Sequence, residues 1–285
     1  MTAAPLQLPP DFKPIRGPSA LGGDPRRFWA LTWTLAVTEF RLKFFGSVLG
    51  YLWQLMKPLM LFGVLYAVFT QFVRLGSGVK FYPAVLLTGI VINTFFADAT
   101  VTSVTAVVSR ENLVRKIHFP RMVIPLAVVL TTYMNFVLNF VAVVVFMLIS
   151  GVDVRWTWLE LIPLVLLLGA FCTGIAMGLS ALFVRYRDVQ PIWDVVTPIV
   201  FYATPILYPI EKIPSRHLQE LVMCSPLAVI VVQARHALID ATAPSAADAI
   251  GGAVRLLIPL GVVVIVCALG YRIFNRSAPH IAEDL

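Results

Sequence analysis

Ser109-Arg-Glu-Asn-Leu-Val-Arg-Lys-Ile-His-Phe-Pro-Arg121 is a short polar island between two long apolar runs, Ala84–Val108 and Met122–Ser150. It carries four basic residues, Arg110, Arg115, Lys116 and Arg121. Leu113, Val114 and Ile117 share one helical face, and Pro120 stops a helix at or before Phe119. The spacing predicts an amphipathic helix of one to two turns, held at a membrane surface by two spanning helices. The plainer alternative is an ordinary positively charged loop between two spans.

Composition fixes the class. Apolar residues make up 59% and charged residues 13% of the 285-residue chain, against about 25% charged in soluble domains. Mean hydropathy is +0.86. The expected fold is therefore all-α and integral to a membrane. Six spans are expected, at about Tyr51–Val73, Ala84–Val108, Met122–Ile149, Leu159–Val184, Val189–Leu207 and Ala253–Phe274, each near the ~20 residues a bilayer core requires. Residues 51–285 would form this six-helix domain.

The first 23 residues are rich in Pro and Gly and lack the apolar core of a signal peptide, so they read as a flexible cytoplasmic tail. Residues 24–50 read as an interfacial amphipathic helix. Asp24 can cap it, Pro25 suits its first turn, and Phe28, Leu31 and Leu35 form one side among Arg26, Arg27, Arg41 and Lys43. A soluble helix packed on a partner is the alternative.

Counting Lys and Arg sets the orientation. Seven in the N-terminal segment (Lys57 included), four in the island, then Arg185, Arg187, Arg272 and Arg276 put fifteen on one side and leave seven on the other. The richer side is expected to be cytoplasmic, with both termini. The net charge of +7 then reflects orientation and anionic lipid rather than nucleic acid.

Residues 209–252 form a long but apolar connection. Ser215–Cys224 and Leu227–Ile239 read as helices of ~14 and ~20 Å, too short to cross and divided by Pro226. A re-entrant or interfacial hairpin on the outer side is expected; a folded external loop is the alternative. Ser245-Ala-Ala-Asp248 has capping-box form and is expected to start the sixth span.

Other chemistry is sparse. No P-loop motif occurs, and Cys172, Cys224 and Cys267 lack metal spacing. His118, His217, His236 and His280 are scattered, so no metal is expected. No acid pair suggests a catalytic residue. Asp98 and Asp194 lie within or near spans, where a charge costs roughly 2.5–3.5 kcal/mol, so each should face a wet space or a basic partner. Gly174 and Gly178 permit close helix approach and are expected to serve internal packing.

Four segments in order carry a resemblance. They are Glu39–Trp53 with Lys57-Pro58-Leu59, Asn112–Arg121, Arg185–Val189, and Phe201–Pro209 followed by Ile213-Pro214. Together they resemble ABC-2 type export permeases of the polysaccharide-exporting branch, from Arg26 to Leu285. Phe44-Phe45-Gly46 departs from the basic or tyrosine residues of many relatives. The resemblance implies a permease without an ATPase motif of its own, two copies of which form a channel in a bacterial inner or plasma membrane. Two separate ABC ATPase subunits would bind ATP and Mg. It places the family's coupling helix on 112–119, with Asn112, Leu113, Arg115, Lys116, Ile117, His118, Phe119 and Arg121 as coupling residues. The hairpin 209–252, with Ile213, Pro214 and Pro226, becomes a gate. Substrates of the branch are lipid-linked glycans such as O-antigen, capsule or teichoic acid.

The residues suggest two further roles. Arg41, Lys43 and Lys57 could attract a pyrophosphate headgroup, and Tyr66, Phe69, Phe95, Phe96, Phe201 and Tyr202 could line a channel as stacking surfaces, or simply pack helices. Alternatives are an ABC-2 permease for a lipid or drug, a secondary transporter driven by an ion gradient, or a membrane-bound glycan enzyme.

Overall fold

The computed structural model describes residues 24–44, 48–72, 78–116 and 119–279. Among them the chain is helical, with no strand. Five helical segments are long and apolar enough to cross a membrane: Leu52–Phe72, Tyr82–Thr105, Val123–Ile149, Trp156–Arg185 and Ala253–Ser277. The proposed tail (1–23) lies outside the described residues, as do Phe45, Gly46, Ile117, His118 and His280.

Helix α3 (Tyr82–Thr105) is the centre of the bundle. It is apolar on every side, as a helix enclosed by others must be, and every residue from Ala84 to Asn93 is buried. Around it pack α2 (Val48–Ala67), α5 (Val123–Ile149), α6 (Leu161–Arg185), α7 (Val189–Ala203) and α9 (Pro226–Leu238). A single π-helical turn, Val68–Phe72, extends α2. Helix α1 (Pro25–Phe44) lies against α5. Its Phe28 is buried, and Leu31 and Leu35 pack beside it, as the amphipathic pattern requires. Asp24 caps it by accepting from the Arg26 amide at 2.9 Å. Val48, Leu49 and Gly50 fall within α2.

The helix expected over Val189–Leu207 is shorter than that range. Helix α7 has 15 residues and stops at Ala203, about 22 Å of helix, because Thr204 precedes Pro205 and takes an extended conformation. The chain then folds back over the start of α3. Ile206 and Leu207 are buried there, and the Leu207 carbonyl accepts from the Tyr82 hydroxyl at 2.9 Å.

The two short helices expected after this break are present as α8 (Arg216–Val222) and α9, bent by 103°. Pro226 opens α9 at its first turn. Buried from Pro226 to Val232, α9 is part of the core and not a loosely folded loop. Its last carbonyls are covered from the α6 side: Thr157 donates to Ala237 O, and Trp158 Nε1 to Leu238 O at 3.0 Å. The capping box at Ser245 and Asp248 forms, but on a five-residue helix, α10 (Ala246–Ile250). Gly251 and Gly252, both at positive φ, end it before α11 (Leu257–Ser277) begins. Ser245 therefore does not start the last span.

Gly174 packs within the protomer, on α11. A Cβ there would lie 2.8 Å from the Cys267 backbone nitrogen, and one at Gly270 would meet the Gly174 carbonyl oxygen. Gly174→Leu or Gly270→Leu should cost at least ~1–3 kcal/mol through overpacking. Gly63→Ala and Gly261→Ala, with open space around them, should be neutral or stabilising. Thermal unfolding of the purified chain should separate the two pairs by several degrees.

Charge pairs fasten the α8–α10 end. Arg255 bonds Glu220 at 2.6 Å, and that hydrogen bond, with Arg216 nearby, holds the Glu220 carboxyl below its usual range. The Ser245 hydroxyl and amide lower Asp248 likewise. Both contributions are complete above the ordinary carboxylate value and are lost as pH falls through the lowered ones. Amide exchange in α8 and α10 should therefore accelerate below about pH 4 while α3 stays protected.

Candidate functional site

The island end of the bundle gathers most of the chemistry. After α3 the chain makes a 3-10 turn, Val108–Arg110, and then α4 (Glu111–Lys116), the short helix expected for the island. Val114 is buried and Leu113 half-buried, whereas Asn112 is exposed. Val107, Val114 and Met122 join Phe28 of α1, Val184 of α6 and Phe274 and Ala278 of the α11 end in one apolar cluster, and Phe119 packs at its edge. Thus α4 is seated on the ends of several helices. The side chains of Arg115 and Lys116 fall outside the described residues.

Two arginines of the island point inward. Arg121 is buried and donates to the Ala278 carbonyl past the end of α11. It ties the island to the last helix and does not present its charge to the surface. Arg110 donates from Nε to Glu39 Oε1 at 2.7 Å, a second guanidinium nitrogen reaches the same oxygen, and its third holds the Ala106 carbonyl at 2.7 Å. This fork joins α1 to the end of α3. Glu39 was overlooked as a site residue; the signal was a lone acid in a helix whose other charges near its end, Arg41 and Lys43, are basic.

Beside this pair lies a cavity of about 380 Å³ between α1, α3 and α5. Glu39, Lys43, Asp98 and Arg110 contribute two positive and two negative charges to its wall. Asp98 thus has the basic surroundings a spanning acid needs: Lys43 and Lys57 lie within electrostatic reach, and Gln54 hydrogen-bonds it. Thr102, Thr131, Thr132 and Asn135 supply the uncharged polar part. Arg41 is exposed and stands apart from the cavity lining.

The six aromatic candidates divide. Phe95 and Phe96 are 2% exposed, Phe95 edge-on to Tyr133 and Phe136, Phe96 stacked on Phe171. Phe201 is buried as well. These three are packing residues inside one protomer, because side chains enclosed by their own bundle have no face for a sugar. Tyr66 and Phe69 are half-buried, with Tyr66 stacked on Phe62, while Tyr202 is 62% exposed. At the far end Ile213 is half-buried, its carbonyl accepting from Gln219 at 2.9 Å, and Pro214 is exposed.

Removing Arg110 alone strands the Glu39 carboxylate near Asp98. Arg110→Gln should therefore destabilise more than the double change Glu39→Gln/Arg110→Gln. A thermal double-mutant cycle should return a coupling of roughly 1–3 kcal/mol, and additive losses would show that the pair carries no coupling.

Comparison with known proteins gives the context. The family profile described as ABC-2 type transporter matches residues 30–239. An O-antigen export system permease protein RfbA of Klebsiella pneumoniae is 27% identical over 248 residues, which is 87% of this chain and 92% of the relative. One of the same name from Myxococcus xanthus is 30% identical over 193 residues, 67% of this chain and 72% of the relative. The match begins within α1, takes in the α4 island and ends at the close of α9. The chain belongs to the ABC-2 type transporter family of membrane permeases.

Proposed function

We propose that this chain is the membrane subunit of an ATP-driven exporter that carries a lipid-linked polysaccharide, O-antigen or a similar cell-surface glycan, from the cytoplasmic to the outer face of the membrane. The observation that carries the reading is similarity, over 87% and 67% of the chain, to permeases named for O-antigen export. Two copies would enclose the path, with a separate ABC ATPase bound to each.

The geometry supplies a lever for such a partner. Helix α4 is linked to α3, to α1 through Arg110 and Glu39, and to α11 through Arg121. A push on Asn112 or on the exposed edge of α4 would reach these helices together. The basic side, with both termini, would face the cytoplasm. There the exposed Arg41 and Lys57 would attract the pyrophosphate of the substrate, at roughly 1 kcal/mol per residue near an anionic surface. A second copy would cover the open faces of α2 and α7, where Trp53, Val64, Ile199 and Tyr202 stand exposed. Tyr202, Tyr66 and Phe69 are the aromatics left for a sliding polymer. Stacking suits that task, since each contact is modest and the next sugar replaces it. The hairpin 209–252 would close the outer end, with Ile213 and Pro214 at its edge.

The coupling reading is tested with Asn112→Cys. The thiol should crosslink to the ATPase subunit and stay unreactive toward an impermeant external reagent in intact cells. External labelling would invert the orientation. Arg115→Ala with Phe119→Ala should leave membrane insertion intact and abolish surface glycan, with the lipid-linked polymer accumulating inside. Normal surface glycan would remove α4 from the coupling path.

A further inference from the structure

We infer that the cavity between α1, α3 and α5 receives the uncharged sugar of a saccharide-bearing lipid headgroup, and not its phosphate. The inference rests on the export reading above and adds which part of the substrate is recognised, and where.

The cavity's size falls in the ~300–1,000 Å³ range of small-ligand sites. Its depth suits a lipid headgroup. Asp98 is seven residues from the island end of α3, about 10 Å along the helix, and Val128 and Leu42 give the wall an apolar part. A soluble sugar would have no reason to sit there, whereas a headgroup held by its own lipid would.

Its chemistry is that of an acceptor-rich but charge-balanced wall. Lys43 and Arg110 are matched by Asp98 and Glu39 on the same lining. An ionised phosphate placed inside would meet Glu39 and Asp98 along with the two bases, gaining no net attraction, and brings no hydrogen-bond donor. The Thr131 and Thr132 hydroxyl protons are already directed elsewhere. Thr131 donates toward Ala127 O at 2.9 Å, and Thr132 to Val128 O at 3.0 Å, so their oxygens are left to accept. Asn135 is 3% exposed, lines the cavity, and its Oδ1 has no partner. Leaving such a group unmatched costs roughly 1–3 kcal/mol. Hydroxyl groups of a sugar supply these acceptors with donors that carry no net charge. The phosphate would remain outside, toward Arg41 and Lys57.

The test uses the full-length chain in nanodiscs and three photoreactive lipids with the same diazirine-bearing alkyl chain, headed by β-D-glucose, by phosphate or by ammonium. Labelled peptides are read by mass spectrometry. The glucoside should label the α1, α3 and α5 segments at the cavity at least fivefold above either charged probe. Free glucose should compete poorly and a prenyl-diphosphate-linked saccharide well. Thr102→Val, at an exposed position, and Asn135→Leu should each lower glucoside labelling several-fold without changing labelling elsewhere. Thr102→Val tests the site even where Asn135→Leu fails to fold. Preferential labelling by the phosphate or ammonium probe would overturn the inference. So would glucoside labelling that ignores both substitutions, as from a merely hydrated cavity. Export is measured separately with the partner ATPase. Sugar-selective labelling without glycan export would sink the transport reading and leave the cavity's preference standing, and export without selective labelling would do the reverse.

Discussion

Backbone groups inside hydrocarbon have no water to bond, and the breaks after α7 and α9 are arranged around that constraint. Helix α7 ends early because Thr204 precedes Pro205, which exposes backbone where a continuous span would have none. The exposed carbonyls are taken up locally. The Tyr208 hydroxyl lies 3.3 Å from both Tyr202 O and Ala203 O, which it can bond, and Tyr82 reaches across to Leu207 O. Helix α9 would likewise end on bare carbonyls, but Thr157 and Trp158 cover Ala237 and Leu238. The irregular segments are therefore buried in protein and not set against lipid. That is why α3 must be apolar on all sides: it is the surface on which both breaks are folded. Ile206 lies so near Gly89 that a Cβ there would come within 2.9 Å of it.

The same constraint shapes the island end, with charges in place of backbone. Arg110, Glu39, Lys43 and Asp98 sit at or near the ends of helices that otherwise read as apolar or interfacial. A lone charge at such depth is costly, so these are brought together around one cavity. Their balance has a mechanical side. Arg110 grips α1 through Glu39 and the end of α3 through Ala106, and Arg121 grips the end of α11. A short polar helix that floated on lipid would transmit nothing. One whose flanking arginines are anchored in three helices can move only with them.

Much of this was legible in the sequence, for reasons that differ by element. Long apolar runs at Ala84–Val108, Met122–Ile149 and Leu159–Val184 announced spans because length and hydropathy alone define them. The division at Pro226 and the box at Ser245 and Asp248 are local chemistry and came out at the right residues. The helix in Val189–Leu207 came out shorter than that range because hydropathy does not register a pre-proline break. The box was attached to the wrong helix because Gly251 and Gly252 intervene, and their positive φ is a property of the folded backbone. Phe95, Phe96 and Phe201 could not be sorted from Tyr202 by composition, since stacking surfaces and core packing draw on the same residues. Asp98 was marked correctly as needing a basic or wet environment. Glu39 was passed over because its partner lies 71 residues away.

That long-range contact puts the cavity wall and the fastening of the island on one piece of structure. Glu39 and Lys43 are one turn apart on α1, so one face of that helix holds Arg110 and lines the cavity with Lys43. Any displacement of the island that pulls on Arg110 must therefore change the cavity wall, since Arg110 and Glu39 are part of it. Conversely, a ligand that fills the cavity alters the surroundings of the pair that fastens the island. Occupancy and island position would then be coupled in both directions, since linkage is reciprocal wherever it exists. A permease with no ATPase motif in its own sequence needs such a connection, because a loaded membrane site can then be distinguished from an empty one at the surface where a partner would push.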